Sequence, residues 1–406
     1  MPATSTQPHR IVIIGGGYAG LTIANRLARL GAPITITLID AKNEFHERIR
    51  LHQAATGQKL RLFGYADFLT PLGVKFIRAQ VTGLDPNAAL LSLRHPDGSS
   101  TQQSYDYLVY ALGSHIDRSR VAGAEAFTHT LDSPQAARAI HAQLARRPDS
   151  RVLVVGGGLT GIEMATELAE SFPQLRVTLA TATELQPEAV PGGFSHKAVS
   201  YLQQTFQRLD IALQQGSRVA QVQAGVANMS DGRELPFDSC IWTSGFAAPG
   251  LAAAAGIRVN AQGQIVTDAA LRSLSHPNII AVGDAAQADT PDSGLCRMGC
   301  ATGLAMAASG ARTIAALLAG QTPPAFRFVY LFRNLCLGRQ DGLIQFVDRR
   351  DVPRNIIWTG AAAARWKDYI CRSTLSTIGL SAEEKLPAMP PLRMLPQLMR
   401  VSSQYA

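Results

Sequence analysis

The fold of this chain is decided by one short stretch, Ile11-Val12-Ile13-Ile14-Gly15-Gly16-Gly17-Tyr18-Ala19-Gly20. Four β-branched apolar residues followed by Gly-x-Gly-x-x-Gly predict a buried parallel strand that turns directly into a helix. Gly15 makes the tight turn, Gly17 lets the backbone approach a pyrophosphate, and Gly20 lets the helix pack against the strand. The stretch therefore predicts a dinucleotide-binding βαβ unit.

The residues that follow complete this unit. Apolar residues at helical spacing continue to Gly31, and a second apolar strand over residues 34–39 ends at Asp40. Asp40 lies twenty residues after Gly20, which is the spacing at which a carboxylate meets a ribose hydroxyl. The glycine pattern alone is weak evidence, but the pattern with its strand, helix and spaced acid is strong evidence.

A second turn of the same kind lies roughly 140 residues later, in residues 151–161. An apolar strand precedes its glycines, a helix pattern follows them, and a strand is predicted over residues 175–179. The acid expected twenty residues past the last glycine, Gly161, is missing because Thr181 stands there. No arginine follows closely to bind a 2′-phosphate, so the choice between NADH and NADPH stays open.

Two such turns predict two dinucleotides held by two doubly wound domains. The economical chemistry for this pair is a flavin that receives a hydride from a nicotinamide. Two further apolar strands support this interpretation. One, over residues 105–110, leads into Ala111 and Gly113, and the other, over residues 278–282, ends in Gly283-Asp284.

In this order, the four motifs resemble the two-dinucleotide-binding flavoprotein superfamily, which has the glutathione-reductase-like fold. The resemblance implies an α/β fold with two Rossmann-like domains, the second inserted in the first, and a small C-terminal α+β unit. It implies an FAD-binding domain of residues 1–117 and 246–325, an NAD(P)H-binding domain of residues 118–245, and a C-terminal unit of residues 326–406.

The resemblance also implies which residues bind each cofactor. Those implied for FAD are Gly15, Gly17, Tyr18, Ala19, Gly20, Asp40, Arg48, Arg50, Ala111, Gly113, Gly283 and Asp284. Those implied for NADH or NADPH are Gly156, Gly158, Gly161, Thr181 and Gly245. Arg48 and Arg50 would neutralise the FAD pyrophosphate or line the flavin pocket, and the alternative for both is a solvated pair.

Within the superfamily the chain resembles the type II NADH dehydrogenase group. The segments that carry this resemblance are residues 45–52, 161–163, 242–246, 271–273 and 337–342. The resemblance implies oxidation of NAD(P)H and transfer of electrons to a membrane quinone. It places Glu163 beside the stacked nicotinamide and flavin as the catalytic residue, whereas the alternative is a glutamate that only stabilises the first turn of its helix.

Two other functions stay open. One is a soluble flavin oxidoreductase that acts on a small-molecule or protein acceptor, and the other is an NAD(H)-sensing flavoprotein that resembles apoptosis-inducing factor. The soluble oxidoreductase stays open because the glutamines that type II dehydrogenases carry after Gly-Asp are replaced here by residues 297–306, which begin Arg-Met-Gly-Cys.

Composition narrows the class of protein. The chain has 406 residues, is 46% hydrophobic and contains five cysteines, which excludes a disordered chain and disfavours a disulfide scaffold. The absence of 18 consecutive apolar residues and the polar start predict a cytoplasmic protein without a spanning helix or signal peptide. Contact with the inner face of the membrane stays open. Cys296 and Cys300 are expected to pack against the cofactor in a helix that begins near Leu295.

The sequence predicts neither a metal site nor nucleic-acid binding. No cluster of His, Cys and Asp residues shows metal-ligand spacing, and no basic and aromatic residues alternate as they do in nucleic-acid readers. His46 and His52 lie six apart. Either one could donate protons near the flavin, or both could be solvated.

The C-terminal fifth carries most of the net positive charge. Residues 326–406 contain 12 Lys and Arg against 6 Asp and Glu, in a chain with a net charge of +8. Strands are predicted over residues 326–330 and 342–347, and a helix over residues 361–378 that bears Trp366 and basic residues. Prolines interrupt residues 386–399. This unit is expected either to form a homodimer or to contact a membrane surface.

Overall fold

The computed structural model describes residues 7–380. Its first sheet is parallel and has the strand order Ile279–Ala281, Tyr107–Tyr110, His9–Ile14, Ile34–Asp40 and Lys75–Arg78. Apolar residues 11–14 of the central strand are buried on both faces, as expected for a parallel sheet covered on both sides. The helix Tyr18–Ala28, here called the first Rossmann helix, follows that strand.

The second sheet is also parallel. Its strand order is His129–Thr130, Ser239–Trp242, Arg151–Val155, Arg176–Ala180 and Ala212–Gln214. The helix Leu159–Ser171, here called the second Rossmann helix, follows the strand at its centre. All five strands come from between two neighbouring strands of the first sheet, so the second unit is an insertion in the first, as predicted.

The C-terminal part forms a three-stranded antiparallel sheet of Phe332–Cys336, Gly342–Val347 and Pro353–Thr359. The helix Gly360–Ile378, here called the C-terminal helix, packs on it. The prediction of a strand over residues 326–330 is wrong, because this segment joins no sheet. Its alternation arises because Phe326 and Tyr330 turn inward from an extended segment.

The C-terminal helix does not present the basic aromatic face that its sequence suggested. Trp366 is only 8% exposed, since it packs against the rings of Phe332, Trp358 and Tyr369. Lys367 is also buried. The proline-rich stretch 386–399 lies outside the described residues.

The helix Cys300–Leu318, here called the long apolar helix, begins later than predicted. Residues Gly294–Leu295 instead form a short strand paired with Asp289–Thr290, so Cys296 precedes the helix that contains Cys300. By length and composition alone this helix could cross a membrane, although it contains no uninterrupted run of 18 apolar residues. Half of it is buried, and it packs on the first Rossmann helix, where Gly310 lies next to Ile23.

One short helix matters for the site. It spans Leu51–Ala54 and packs against the second Rossmann helix. The remaining longer elements are the helices Pro134–Arg146 and His196–Arg208, the antiparallel sheet Gln80–Asp85, Leu90–Arg94 and Ser100–Ser104, and the antiparallel sheet Val219–Gln223, Val226–Met229 and Glu234–Pro236.

Candidate active site

The first glycine-rich turn is closed toward the protein and open toward a ligand. A Cβ atom at Gly15 would lie 2.4 Å from the carbonyl oxygen of Ala111, and one at Gly20 would lie 1.9 Å from the carbonyl oxygen of Gly15. At Gly17, in contrast, no atom of the described residues lies within 4 Å of the Cβ position. The turn therefore needs glycine for its packing and leaves the space that a pyrophosphate would fill.

Two carboxylates frame this turn. Asp40 accepts hydrogen bonds from the backbone N–H groups of Gly16 (2.7 Å) and Lys42 (2.8 Å). Asp284 accepts one from the backbone of Gly299 (2.8 Å) and one from the Ser114 hydroxyl (2.7 Å). Asp284 thus joins the end of its own strand to the segment after Gly113 and to the start of the long apolar helix.

Several other predicted FAD residues lie around these carboxylates. Ala19 faces Gly283, whose Cβ position is 3.2 Å from the Ala19 methyl group. The Tyr18 hydroxyl is buried and has no hydrogen-bond partner among residues 7–380, and burial raises the pKa of Tyr18. A buried unpaired hydroxyl beside an open turn suits a polar ligand group.

The two arginines of the predicted FAD site have different surroundings. Arg48 donates a hydrogen bond to the carbonyl oxygen of Ser114 and lies 5.9 Å from the ring of Phe246. Ser114 in turn donates from its hydroxyl to Asp284, so Arg48 and Asp284 share this residue as a partner. Arg50 pairs with Asp368 of the C-terminal helix at 2.6 Å and with Glu47 at 3.2 Å. Two carboxylates already neutralise Arg50, which makes it a link between units.

The second glycine-rich turn repeats the geometry of the first. A Cβ atom at Gly161 would lie 1.8 Å from the carbonyl oxygen of Gly156, while the Cβ position of Gly158 is open within the described part of the chain. Thr181 lies over the turn and donates from its hydroxyl to the carbonyl oxygen of Thr183. Gly245 has a positive φ of 81°, and its carbonyl accepts from the backbone of Asp117.

Glu163 is buried at the meeting point of three units. Its Oε1 atom accepts a hydrogen bond from the backbone N–H of Cys336 at 3.0 Å and lies 3.1 Å from the Nζ atom of Lys367. Burial raises the pKa of Glu163, but the Lys367 charge and smaller contributions from His52 and Cys336 outweigh it, so the net pKa is lowered. Burial lowers the pKa of Lys367, but the Glu163 charge and smaller contributions outweigh it, so the net pKa of Lys367 is raised.

His52 completes this cluster. It is 4% exposed, and its Nε2 atom has no hydrogen-bond partner within residues 7–380. Burial lowers the pKa of His52 to about 4, although Glu163 opposes the shift. His52 is therefore neutral at pH 7, and the charged pair beside it is Glu163 and Lys367.

Sequence reasoning missed this cluster, although it selected Glu163. The possible ligand atoms of His52, Glu163 and Cys336 lie within 4.8 Å of one another, a grouping that could hold a metal ion. The Lys367 ammonium group already stands against the carboxylate. A divalent ion would have to share this buried space with that positive charge, so the ion pair explains the cluster better.

The geometry suits two dinucleotides, and comparison with known proteins agrees. Residues 9–312 match the family model described as pyridine nucleotide-disulphide oxidoreductase. The chain belongs to the pyridine nucleotide-disulphide oxidoreductase family. It is therefore an FAD-dependent oxidoreductase that uses NADH or NADPH, as predicted.

Three known proteins illustrate this membership. The chain is 30% identical over 322 residues to an NADH dehydrogenase-like protein of Mycobacterium tuberculosis, covering 73% of this chain and 78% of the relative. It is 29% identical over 408 residues to the type II NADH:quinone oxidoreductase of Staphylococcus haemolyticus, covering 91% and 96%. Its fold resembles that of NDH2 from Plasmodium falciparum with a TM-score of 0.76 and 14% identity, covering 95% and 100%.

These comparisons confirm the predicted resemblance to type II NADH dehydrogenases. Within the family, this member has five cysteines, and all five are free. The assignment of individual residues to FAD and NAD(P)H stays a prediction that the geometry of the two turns supports. When bound, FAD would supply the two-electron chemistry, with Asp40 and Asp284 as the side chains placed to hold it.

Proposed function

We propose that this enzyme oxidises NADH or NADPH through bound FAD and passes the electrons to a quinone-class acceptor. The observation that carries the proposal is the buried pair, at 3.1 Å, of Glu163 on the second Rossmann helix and Lys367 on the C-terminal helix. A quinone takes up protons together with electrons, so its site needs an ionisable group shielded from bulk water. The printed name of the Staphylococcus haemolyticus relative also includes a quinone.

In this proposal the two glycine-rich turns hold the dinucleotides and fix their approach. Positioning supplies most of the rate of hydride transfer, because the transfer needs alignment of the nicotinamide with its acceptor. Glu163 relays a proton to the acceptor and returns to its charged form, and Lys367 and the Cys336 N–H keep its carboxylate oriented. Arg48, which is bonded to the carbonyl oxygen of Ser114, is the arginine proposed to meet a phosphate or the flavin ring.

The electron donor, the location of the enzyme and the role of its C-terminal unit are also proposed here. Both curated relatives described above are named for NADH, which favours NADH as the donor despite Thr181. We place the enzyme in the cytoplasm, with peripheral contact to the inner face of the membrane. Its C-terminal unit is the part proposed to make that contact or to form a homodimer.

Anaerobic spectroscopy of the purified yellow protein tests the proposal. NADH should bleach the flavin rapidly, and menadione should restore its colour rapidly. Bleaching without recovery by menadione would instead support a soluble enzyme with another acceptor. A persistent long-wavelength charge-transfer band would support the NAD(H)-sensing alternative.

A substitution locates the chemistry at Glu163. Glu163→Gln should slow NADH-dependent turnover with menadione at least tenfold while FAD stays bound, because the amide cannot carry the proton. Glu170→Gln, at the far end of the same helix, is the matched control and should keep the wild-type rate. Equal rates for Glu163→Gln and wild type would remove Glu163 from the reaction.

A further inference from the structure

A second buried carboxylate lies one helical turn beyond Glu163. Glu167 is fully buried, although its helix reaches solvent only a few residues later. Its Oε1 atom accepts hydrogen bonds from Gln58 Nε2 (2.8 Å), Thr56 Oγ1 (3.2 Å) and Arg339 Nε (3.2 Å). Its Oε2 atom is buried and has no partner among residues 7–380.

A buried, charged oxygen without a hydrogen-bond partner lowers the stability of the fold, and protonation of the carboxyl group would remove its charge. Burial raises the pKa of Glu167, and the hydrogen bond and charge of Arg339 oppose that shift only in part. A protonated carboxyl group would place its O–H on Oε2, the atom that lacks a partner. The buried surroundings thus favour the protonated form of this carboxyl group more than water does.

Glu167 also has contact with the surface. The side chain of Arg339, which donates to Glu167, is 49% exposed, and Gln58 is half-buried. On the inner side, Glu163 is one turn away on the same helix, a distance of about 5–6 Å between Cβ atoms. His52 and Thr56 run alongside, with His52 against Glu163 and Thr56 against Glu167.

We propose that Glu167 is the group through which protons enter from solvent to reach Glu163. The proposal rests on the function proposed above and deepens it. Protons arrive at the Arg339–Gln58 rim, are held on Glu167, and pass one turn along the second Rossmann helix to Glu163 beside His52. One bridging water or a rotation of the Glu167 side chain spans this turn.

The stoichiometry requires such an entry. NAD(P)H, one proton and a quinone give NAD(P)⁺ and a quinol: the nicotinamide C4–H bond breaks, two electrons move to the acceptor, and two O–H bonds form on it. The hydride accounts for one of these hydrogens. The other is a proton from solvent, for which the O–H bond of Glu167 breaks and is re-formed from water.

A choice of electron acceptors separates this role from a structural one. Menadione takes up protons with its electrons, whereas ferricyanide takes only electrons. Glu167→Gln preserves an oxygen that accepts from Gln58, Thr56 and Arg339 but cannot deliver a proton. We expect the ratio of the menadione rate to the ferricyanide rate to fall at least tenfold in this variant, and Glu167→Asp to restore most of the ratio.

Glu170→Gln is the matched control, since Glu170 also binds the Arg339 segment, through the backbone N–H at 2.8 Å. It should keep the wild-type ratio. An unchanged ratio in Glu167→Gln, or an equal loss with both acceptors, would overturn the proton-entry role while the quinone-reductase function stands. If the wild-type enzyme reduces ferricyanide but not menadione, the proposed function itself falls, and this role falls with it.

Discussion

The buried pair of Glu163 and Lys367 offers a demanding test of the structure. In Lys367→Met the aliphatic volume is largely kept, but the carboxylate of Glu163 is left in a buried site without its counter-ion. Removing one partner of a buried ion pair costs about 3–5 kcal/mol. The variant also loses the Nζ hydrogen bond to the carbonyl oxygen of Asn334, at 3.2 Å. We therefore expect the free energy of unfolding at pH 7 to fall by about 4 kcal/mol.

The pKa shifts of the pair determine how its contribution to the free energy of unfolding changes with pH. In wild type, the lowered pKa of Glu163 contributes stability that is present above its ordinary value of 4.5 and is lost as the pH falls through the folded-state pKa. The raised pKa of Lys367 contributes stability that is present below 10.5 and is lost as the pH rises through its folded-state value. The pair is therefore at full strength between about pH 5 and pH 10.

Lys367→Met reverses the trend for Glu163. Without the ammonium group, burial raises the pKa of this carboxyl group above 4.5, so the folded variant binds a proton that the unfolded chain releases. Its stability deficit should shrink as the pH is lowered from 7 to 5, with a slope of up to about 1.4 kcal/mol per pH unit. The double variant Glu163→Gln with Lys367→Met should recover most of the loss, since neither charge of the pair remains.

Urea unfolding of the FAD-bound protein, followed by tryptophan fluorescence, measures these changes. Trp358 and Trp366 lie 6.1 Å apart in the aromatic cluster beside Lys367, so they report on this unit. Arg365→Met, an exposed cation on the same helix, is the control and should change stability by less than about 0.5 kcal/mol. A Lys367→Met variant as stable as this control at both pH values would refute the buried ion pair.

Three further predictions concern the dinucleotide sites. Gly20→Ala should abolish FAD binding, because its Cβ would lie 1.9 Å from the carbonyl oxygen of Gly15. Gly161→Ala should keep the yellow colour but lose bleaching by NADH, because its Cβ would lie 1.8 Å from the carbonyl oxygen of Gly156. Absorbance spectra before and after NADH check both variants, and normal bleaching of Gly161→Ala would contradict the second dinucleotide site. Thr181→Glu should raise the NADH-to-NADPH ratio of kcat/KM about tenfold, since a carboxylate accepts from a 2′-hydroxyl and repels a 2′-phosphate, and an unchanged ratio would place the ribose elsewhere.

The sequence predicted the two dinucleotide-binding turns well because their chemistry is local. Gly15, Gly20 and Asp40 lie within one βαβ unit, where spacing alone determines which atoms meet. The Glu163–Lys367 pair could not be predicted in this way, since its partners lie on helices from different units. Lys367 instead looked like one of several surface cations on an amphipathic helix, and only the packing of that helix shows it to be buried.

The two incorrect predictions, for residues 326–330 and for Trp366, also depend on tertiary packing. Residues 326–330 alternate in polarity as a strand does, yet the alternation there reflects an extended segment that buries Phe326 and Tyr330 without pairing in a sheet. Trp366 looked like a surface anchor because its neighbours are basic, but it fills the space between the C-terminal helix and its sheet. In both cases tertiary packing determined the outcome, and a periodic pattern does not contain that information.

The most direct test of the account is the flavin content of the purified chain, measured together with its response to NADH. We expect one tightly held FAD per polypeptide and loss of its visible absorbance when NADH is added without oxygen. A colourless protein that takes up no added FAD, or a yellow protein whose absorbance neither NADH nor NADPH changes, would contradict it.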